Sequence, residues 1–127
     1  MPLHDPVERS FVRHFTSPER LAAELPRWED TALGRSASTP MQTRSWIVAC
    51  AETFVRDESL DVIVLEDAGG IAAVAPMVCS ASFPAVNHLL GVRELSEPSD
   101  FIYRDEAALD SLMQVVAHDG RPLILNR

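Results

Sequence analysis

The polar segment from Glu94 to Asp100, ELSEPSD, is the part of this sequence best equipped for acid–base chemistry. It lies between apolar segments predicted as strands, and a carboxylate at a strand end can act as a general base where burial raises its pKa. A solvated acidic loop is the alternative interpretation, because long polar loops usually lie at the surface. The residue types alone leave both interpretations open.

The histidines do not form a metal-binding pattern. None shows the i, i+4 pairing or the neighbouring carboxylate that a helical metal site requires. A structural role is sufficient for the one at a predicted helix end, because a cation there is favourable. The sequence therefore predicts no metal site at any of the four, which are His4, His14, His88 and His118.

The sequence also lacks the common motifs for nucleophilic catalysis and nucleotide binding. G-x-S-x-G, G-x-G-x-x-G and the Walker loop are all absent. The pair Gly69-Gly70 lies between two predicted strands, whereas a phosphate-binding loop joins a strand to a helix. We therefore interpret these glycines as part of a hairpin turn.

Composition and charge narrow the class of protein. The chain has 127 residues, the size of one domain, and its 46% hydrophobic and 24% charged residues are typical of a globular protein. The net charge is −8, which argues against nucleic acid or an anionic membrane as the main partner. No apolar segment predicts a signal peptide or membrane insertion, so we expect a cytoplasmic protein.

The two cysteines, Cys50 and Cys79, do not form a disulfide framework, because they are too few and too far apart in the sequence. We expect both to be buried thiols.

The first half of the chain is predicted to be helical. A helix should begin at Thr16-Ser17-Pro18-Glu19, where the hydroxyl of either Thr16 or Ser17 is the expected cap and Pro18 suits the first turn. Pro26 is expected to kink this helix or divide it, and Gly34 to end it. Its apolar residues follow at helical spacing: Leu21, Leu25, Trp28 and Ala32. A second helix should run from about Thr43 to Val55.

A hairpin from Leu60 to Cys79 is predicted to form the centre of a sheet. Its first strand holds a continuous aliphatic run, which is typical of a strand covered on both faces. Pro76 should lie at an edge, a bulge or the end of the return strand. Further elements are predicted as short strands at 86–90 and 101–103, a helix at 105–117 and a final strand at 122–125.

These elements predict a mixed fold of the α+β type. Two N-terminal helices precede a mostly antiparallel sheet centred on the hairpin, and a helix and a strand follow. Residues 1–15 form an arm or a short strand, and 16–127 form the domain. Because the last strand follows a helix in mid-alternation, we expect the chain to be the front part of a longer protein. The unpaired strand edge at Pro122 to Leu125 could support self-association.

Several motifs occur together in a characteristic order. Tryptophan is followed by Ala-Leu at Trp28–Leu33, and a loop of the form small-Thr-Pro-apolar-Gln at Ser38–Gln42 leads to Ser45-Trp46. The hairpin ends in the pattern Gly-x-x-x-Ala-Pro-Met at Gly70–Met77. Leu89-Leu90-Gly91 and Ser99-Asp100-Phe101 come next, before the last helix and strand. In this order the motifs resemble the N-terminal half of the CelD/BcsL-type acetyltransferases, a cellulose-biosynthesis branch of the GNAT acyl-CoA N-acyltransferases.

The resemblance implies a partial GNAT-like fold and transfer of an acyl group from acyl-CoA to a small-molecule amine. It implies that Ser99 and Asp100 contact the substrate or accept its proton, while the catalytic residues stay unassigned. Phe101 departs from the family's tyrosine, and the pyrophosphate loop Arg/Gln-x-x-Gly-x-Gly/Ala is absent. No cofactor is therefore expected within this chain, and acetyl-CoA or another acyl-CoA is the expected co-substrate of a full-length relative. The alternative is a non-catalytic GNAT-like binding module or a degenerate half of a tandem.

Overall fold

The computed structural model describes residues 11–28, 31, 33–34, 42–55, 59–68, 70–80, 86–90, 101–118 and 123–124. These residues form an α+β fold, as the sequence predicts. The helices are α1 (Pro18–Glu24), α2 (Arg44–Phe54) and α3 (Glu106–His118). The strands are β1 (Phe11–Phe15), β2 (Ser59–Asp67), β3 (Gly70–Cys79), β4 (Asn87–Leu89), β5 (Ile102–Tyr103) and β6 (Leu123–Ile124).

The strands form one sheet around the predicted hairpin. Their order is β1-β2-β3-β4-β6, and β5 also pairs with β3. All neighbours are antiparallel except β4 and β6, which are parallel. A parallel pair needs a crossover connection, and the segment between β4 and β6 contains α3. The segment at residues 11–15, for which the sequence allows an arm or a strand, is a strand paired with β2.

Both faces of the sheet are covered. On β2, Val62 and Val64 belong to the core that contains α1 and α2, whereas Ile63 and Leu65 belong to the core that contains α3. Successive side chains of a strand point to opposite faces, so the aliphatic run supplies both cores. The predicted burial on both faces is confirmed. Cys50 and Cys79 are buried free thiols, also as predicted.

Pro26 divides the first helical segment instead of kinking a single helix. Helix α1 stops at Glu24, and Leu25 already has an extended backbone with φ −64° and ψ 120°. The residue before a proline avoids the helical region, so the helix ends ahead of Pro26. The backbone is helical again at residues 33–34, and the residues directly after Gly34, where the helix is predicted to end, lie outside the described part. Leu25 and Trp28 are buried although neither is helical, so the apolar stripe predicts core residues better than it predicts backbone conformation.

Pro76 lies in a central strand, although the sequence predicts an edge, a bulge or a strand end. On the side of β3 that faces away from β2, residues 73–74 pair with β5 and residues 77–79 pair with β4. Pro76 therefore lies where the partner strand changes. Its carbonyl accepts a hydrogen bond from the Leu90 amide at 2.9 Å, and the missing N–H falls between two ladders.

The predicted hairpin turn requires a glycine at its exit. Gly70 has φ +107°, a backbone conformation that residues with a Cβ rarely adopt. Asp67 pairs with Gly70 to close the hairpin, and the register shifts between Leu65 and Glu66 on the first strand.

Candidate functional site

The sequence-predicted substrate contacts, Ser99 and Asp100, lie outside the described residues. The residue that follows them is described: Phe101 is buried in the core that contains α3. Phe101 belongs to an apolar cluster, in which a side chain without a hydroxyl leaves no polar group to satisfy.

Three residues from different motifs of the resemblance meet in the structure. The Trp28 indole Nε1 donates to the Gln42 carbonyl at 3.2 Å, and the Gln42 side-chain amide donates to the Phe101 carbonyl at 3.3 Å. Trp28 and Gln42 are both buried. Hydrogen bonds between buried groups are costly to lose, so this chain of contacts fixes the backbone directly after Asp100.

The turn from β5 into α3 is closed by charged side chains. The Arg104 guanidinium donates to both carboxylate oxygens of Asp67, at 3.1 and 2.7 Å. This hydrogen bonding raises the pKa of Arg104. The Asp105 carboxylate, directly before α3, accepts a hydrogen bond from the Ala108 amide at 2.8 Å, and Glu106 is in the first turn of the helix. Two carboxylates at a helix N-terminus satisfy its positive end and disfavour an anion there.

A concave region of about 670 Å³ lies between β1, β2 and the C-terminal half of α3. Its described lining consists of polar and apolar side chains from these three elements: His14, Asp61, Ile63, Ser111, Gln114, Val115 and His118. We refer to it as the α3 cleft. Pockets of this size hold small molecules in many proteins.

Sheet register brings His14 and Asp61 together. His14 is opposite Ile63 on β2, and Asp61 lies two residues earlier on the same face. The His14 Nδ1 atom is 2.9 Å from the Asp61 Oδ1 atom. Because an ionised carboxylate only accepts hydrogen bonds, we assign the proton to Nδ1, which leaves Nε2 as an acceptor in the neutral ring. The His14 side chain is 49% exposed and that of Asp61 is 23% exposed, so both can meet solvent and ligand.

The opposite wall of the α3 cleft comes from helical periodicity. Ser111, Gln114, Val115 and His118 are at spacings of three and four, which places them on one face of α3. This face lies beside the buried stripe of Ala108, Leu112 and Val116. Packing of that stripe on the sheet therefore carries the polar residues to the cleft.

Sequence reasoning missed this site. A carboxylate close to a histidine along the chain is the usual local signal, whereas Asp61 is 47 residues from His14. The available signal was the polar row on α3 next to its apolar stripe. Of the other histidines with a described position, His88 is in β4, and His118 ends α3, as predicted, and also lines the α3 cleft.

Neither a metal cluster nor a membrane span is found among the described residues. No three His, Cys, Asp or Glu side chains in this part of the chain are grouped so that they could hold a metal ion. No helix in the same residues has both the length and the apolar character needed to cross a bilayer.

Comparison of the chain with protein-family models, with curated proteins and with solved structures gives no match.

Proposed function

We propose that this chain is the N-terminal portion of a GNAT-like N-acyltransferase that transfers an acyl group from acyl-CoA to an amine, and that it is inactive alone. The contact chain Trp28–Gln42–Phe101 is the observation that carries this proposal. Three short motifs that could each occur by chance are here parts of one buried hydrogen-bonded unit. Such a unit gives a physical reason for the motifs to occur together.

The order of elements supports the same proposal. Two helices precede the antiparallel hairpin, and a helix and a last strand in the same sheet follow it. This is the order that the resemblance implies. Gln42 also positions the backbone next to Asp100, the residue proposed with Ser99 to contact the substrate.

The charges at the β5–α3 turn support the part of the proposal that says the chain alone is inactive. A CoA pyrophosphate is usually held by backbone N–H groups at the start of a helix. At the start of α3, Asp105 already accepts from a backbone amide, and Glu106 adds a second negative charge. A pyrophosphate would meet two carboxylates there, so acyl-CoA should be bound elsewhere in a longer protein.

Isothermal titration calorimetry with acetyl-CoA tests the proposal. We expect no measurable binding to the 127-residue chain. Sequencing of the gene beyond the codon for Arg127 identifies the longer chain for comparison: a continuing reading frame with a glycine-rich strand-to-helix loop should give a protein that binds acetyl-CoA. If such an extended chain also fails to bind, the acyltransferase assignment is lost.

The second candidate function is a non-catalytic GNAT-like module or a degenerate half of a tandem. The carboxylates of Asp105 and Glu106 at the β5–α3 turn favour it, because a domain without CoA binding can tolerate them. A stop codon directly after Arg127, together with no acetyl-CoA binding, would select this candidate over the enzyme.

A further inference from the structure

The α3 cleft is separate from the start of α3, where the carboxylates of Asp105 and Glu106 disfavour an anion. The cleft lies beside the last two turns of α3, whereas Arg104 and Asp105 precede its first turn. Val115 is about 15 Å along the helix axis from Asp105, at 1.5 Å per residue. A molecule in the cleft is therefore distant from that helix N-terminus.

The charges around the α3 cleft favour a positively charged ligand. Asp61 is the one acidic side chain among the described lining residues, and no arginine is among them. The chain as a whole carries a net charge of −8, which attracts cations over a longer range. Asp61 therefore provides the local negative charge of the described lining.

The end of α3 adds a second negative feature. Ser111, Gln114, Val115 and His118 line the cleft, and His118 is the last helical residue. The carbonyl groups of a last helical turn carry partial negative charge. A cation in the cleft therefore has a carboxylate on the sheet side and a helix C-terminus on the other side.

Polar side chains in the α3 cleft have hydrogen-bonding capacity to spare. Within the described residues, Asp61 bonds only through Oδ1 to His14, which leaves Oδ2 as an acceptor. Ser111 and Gln114 make no side-chain hydrogen bond to another described residue. An ammonium group offers three donors, and the Asp61 Oδ2, the Ser111 hydroxyl and the Gln114 carbonyl are acceptors for it.

Two apolar side chains complete the α3 cleft. Ile63 is buried in the core that contains α3, and the half-buried Val115 packs against that core. A short alkyl chain can contact both and remove the exposed part of Val115 from water. We propose that the α3 cleft binds a small alkylammonium ion, with its charged head at Asp61 and its carbon chain along Ile63 and Val115.

Nuclear magnetic resonance titration of the 127-residue chain tests this inference. Butylamine is the probe, with butanol as the uncharged control and butyrate as the anionic control of the same length. At low salt, we expect butylamine, and neither of the two controls, to cause saturable shifts of the backbone amides of Asp61, Ile63 and Val115. Binding of butyrate in the cleft without binding of butylamine would overturn the proposal.

Two matched variants separate the site from general attraction to the acidic protein. Asp61→Asn and Asp110→Asn change the net charge equally, but Asp110 is exposed on α3 and does not line the cleft. We expect Asp61→Asn to weaken the Kd for butylamine about tenfold, as for loss of a charge-assisted hydrogen bond, and Asp110→Asn to leave it nearly unchanged. Equal affinities of the two variants would show that the carboxylate does not define a site.

A variant that is expected to bind butylamine more tightly tests the site independently, because misfolding can weaken binding but cannot strengthen it. Gln114 is exposed, so Gln114→Glu adds a second carboxylate to the cleft without disturbing the core. We expect it to tighten butylamine binding severalfold, and Gln114→Lys to abolish it. If Gln114→Glu gave no tighter binding, the cleft would not be the cation site. These results do not depend on acyl-CoA, so they can fail while the acyltransferase proposal stands, and the reverse also holds.

Discussion

Arg20 and Glu24 form an exposed ion pair within α1. The Arg20 Nε atom donates to one carboxylate oxygen of Glu24 at 2.9 Å, and Nη2 donates to the other at 3.3 Å. These hydrogen bonds, followed by the charge of Arg20, lower the pKa of Glu24. The pair spans one helical turn at i, i+4, the spacing at which opposite charges on a helix meet.

We predict that Arg20→Gln raises the pKa of Glu24 toward its ordinary value. A lowered folded-state pKa stabilises the protein above the unfolded-state value, and this contribution is lost as the pH falls through the folded-state pKa. The stability difference between wild type and Arg20→Gln should therefore shrink under acidic conditions. Carbon-detected titration of the Glu24 carboxyl group and thermal unfolding at several pH values measure both effects.

Arg27→Gln is the matched control for this prediction. It removes the same charge from an exposed residue just beyond α1 that makes no hydrogen bond to Glu24 in the described part of the chain. The pKa of Glu24 should stay where it is in this variant. An equal rise in both variants would show that the overall charge, not the hydrogen-bonded pair, sets the pKa.

The candidate site shows what residue types can and cannot reveal. His14 and Asp61 are visible in the sequence as a histidine and a carboxylate, but their contact depends on the β1–β2 register, which no local pattern specifies. The contact of the Arg104 guanidinium with a carboxylate 37 residues away is the same case. By contrast, the burial of Cys50 and Cys79 follows from apolar neighbours alone and is confirmed.

At the scale of elements, α1 is held at both ends by side chains. The Ser17 hydroxyl accepts from the Arg20 amide at 3.1 Å and caps the N-terminus, so Ser17 is the cap of the two hydroxyl residues that the sequence allows. At the other end, the Arg44 guanidinium donates to the Leu25 carbonyl at 2.7 Å and to the Ala22 carbonyl at 2.8 Å. Arg44 is the first residue of α2, so α2 caps the C-terminus of α1.

We predict that Arg44→Lys lowers the free energy of unfolding by about 1–2 kcal/mol, because a lysine cannot keep both bonds of the guanidinium fork. Carbonyl groups at a helix C-terminus need such partners, since no further turn of the helix satisfies them. Urea unfolding followed by circular dichroism measures the change. The exposed Arg27→Lys should cost roughly 0.5 kcal/mol or less. Similar losses in the two variants would mean that Arg44 does not cap α1.

The sequence predicts the limits of α3 well and the end of α1 poorly. The sequence predicts α3 at 105–117, and the helix runs from Glu106 to His118, because its apolar stripe and acidic start point to the same limits. The end of α1 is harder to predict, because the apolar stripe continues past Leu25 while the helical backbone does not. The stripe reports burial, and the conformation before Pro26 decides where the helix stops.

At the scale of the whole molecule, the sheet separates two cores. The first and the last described strands of the chain, β1 and β6, lie at its two edges. Phe11 is 68% exposed and Val12 is 43% exposed on β1. An outer strand presents unpaired backbone groups that can pair with another chain.

We predict that the chain self-associates through the β6 edge. Sedimentation velocity over a wide concentration range should show a dimer that dissociates on dilution. Lysine on an edge strand discourages pairing between chains, so Ile124→Lys should give a monomer at all concentrations. Val12→Lys, the matched change on the opposite edge, should leave the dimer intact. A wild-type chain that remains monomeric at high concentration would contradict this prediction, and a monomer from Val12→Lys alone would move the interface to β1.

The sequence by itself determined the fold class, the central hairpin with its glycine turn, the double burial of its strands and the amphipathic third helix. These features depend on periodicity and turn chemistry within a few residues, which the order of side chains states directly. Tertiary structure alone decided that Trp28, Gln42 and Phe101 form one unit, that Arg44 caps α1 and that His14 meets Asp61 across from α3. Each of these contacts joins residues far apart in the chain, where strand register and packing fix which side chains become neighbours.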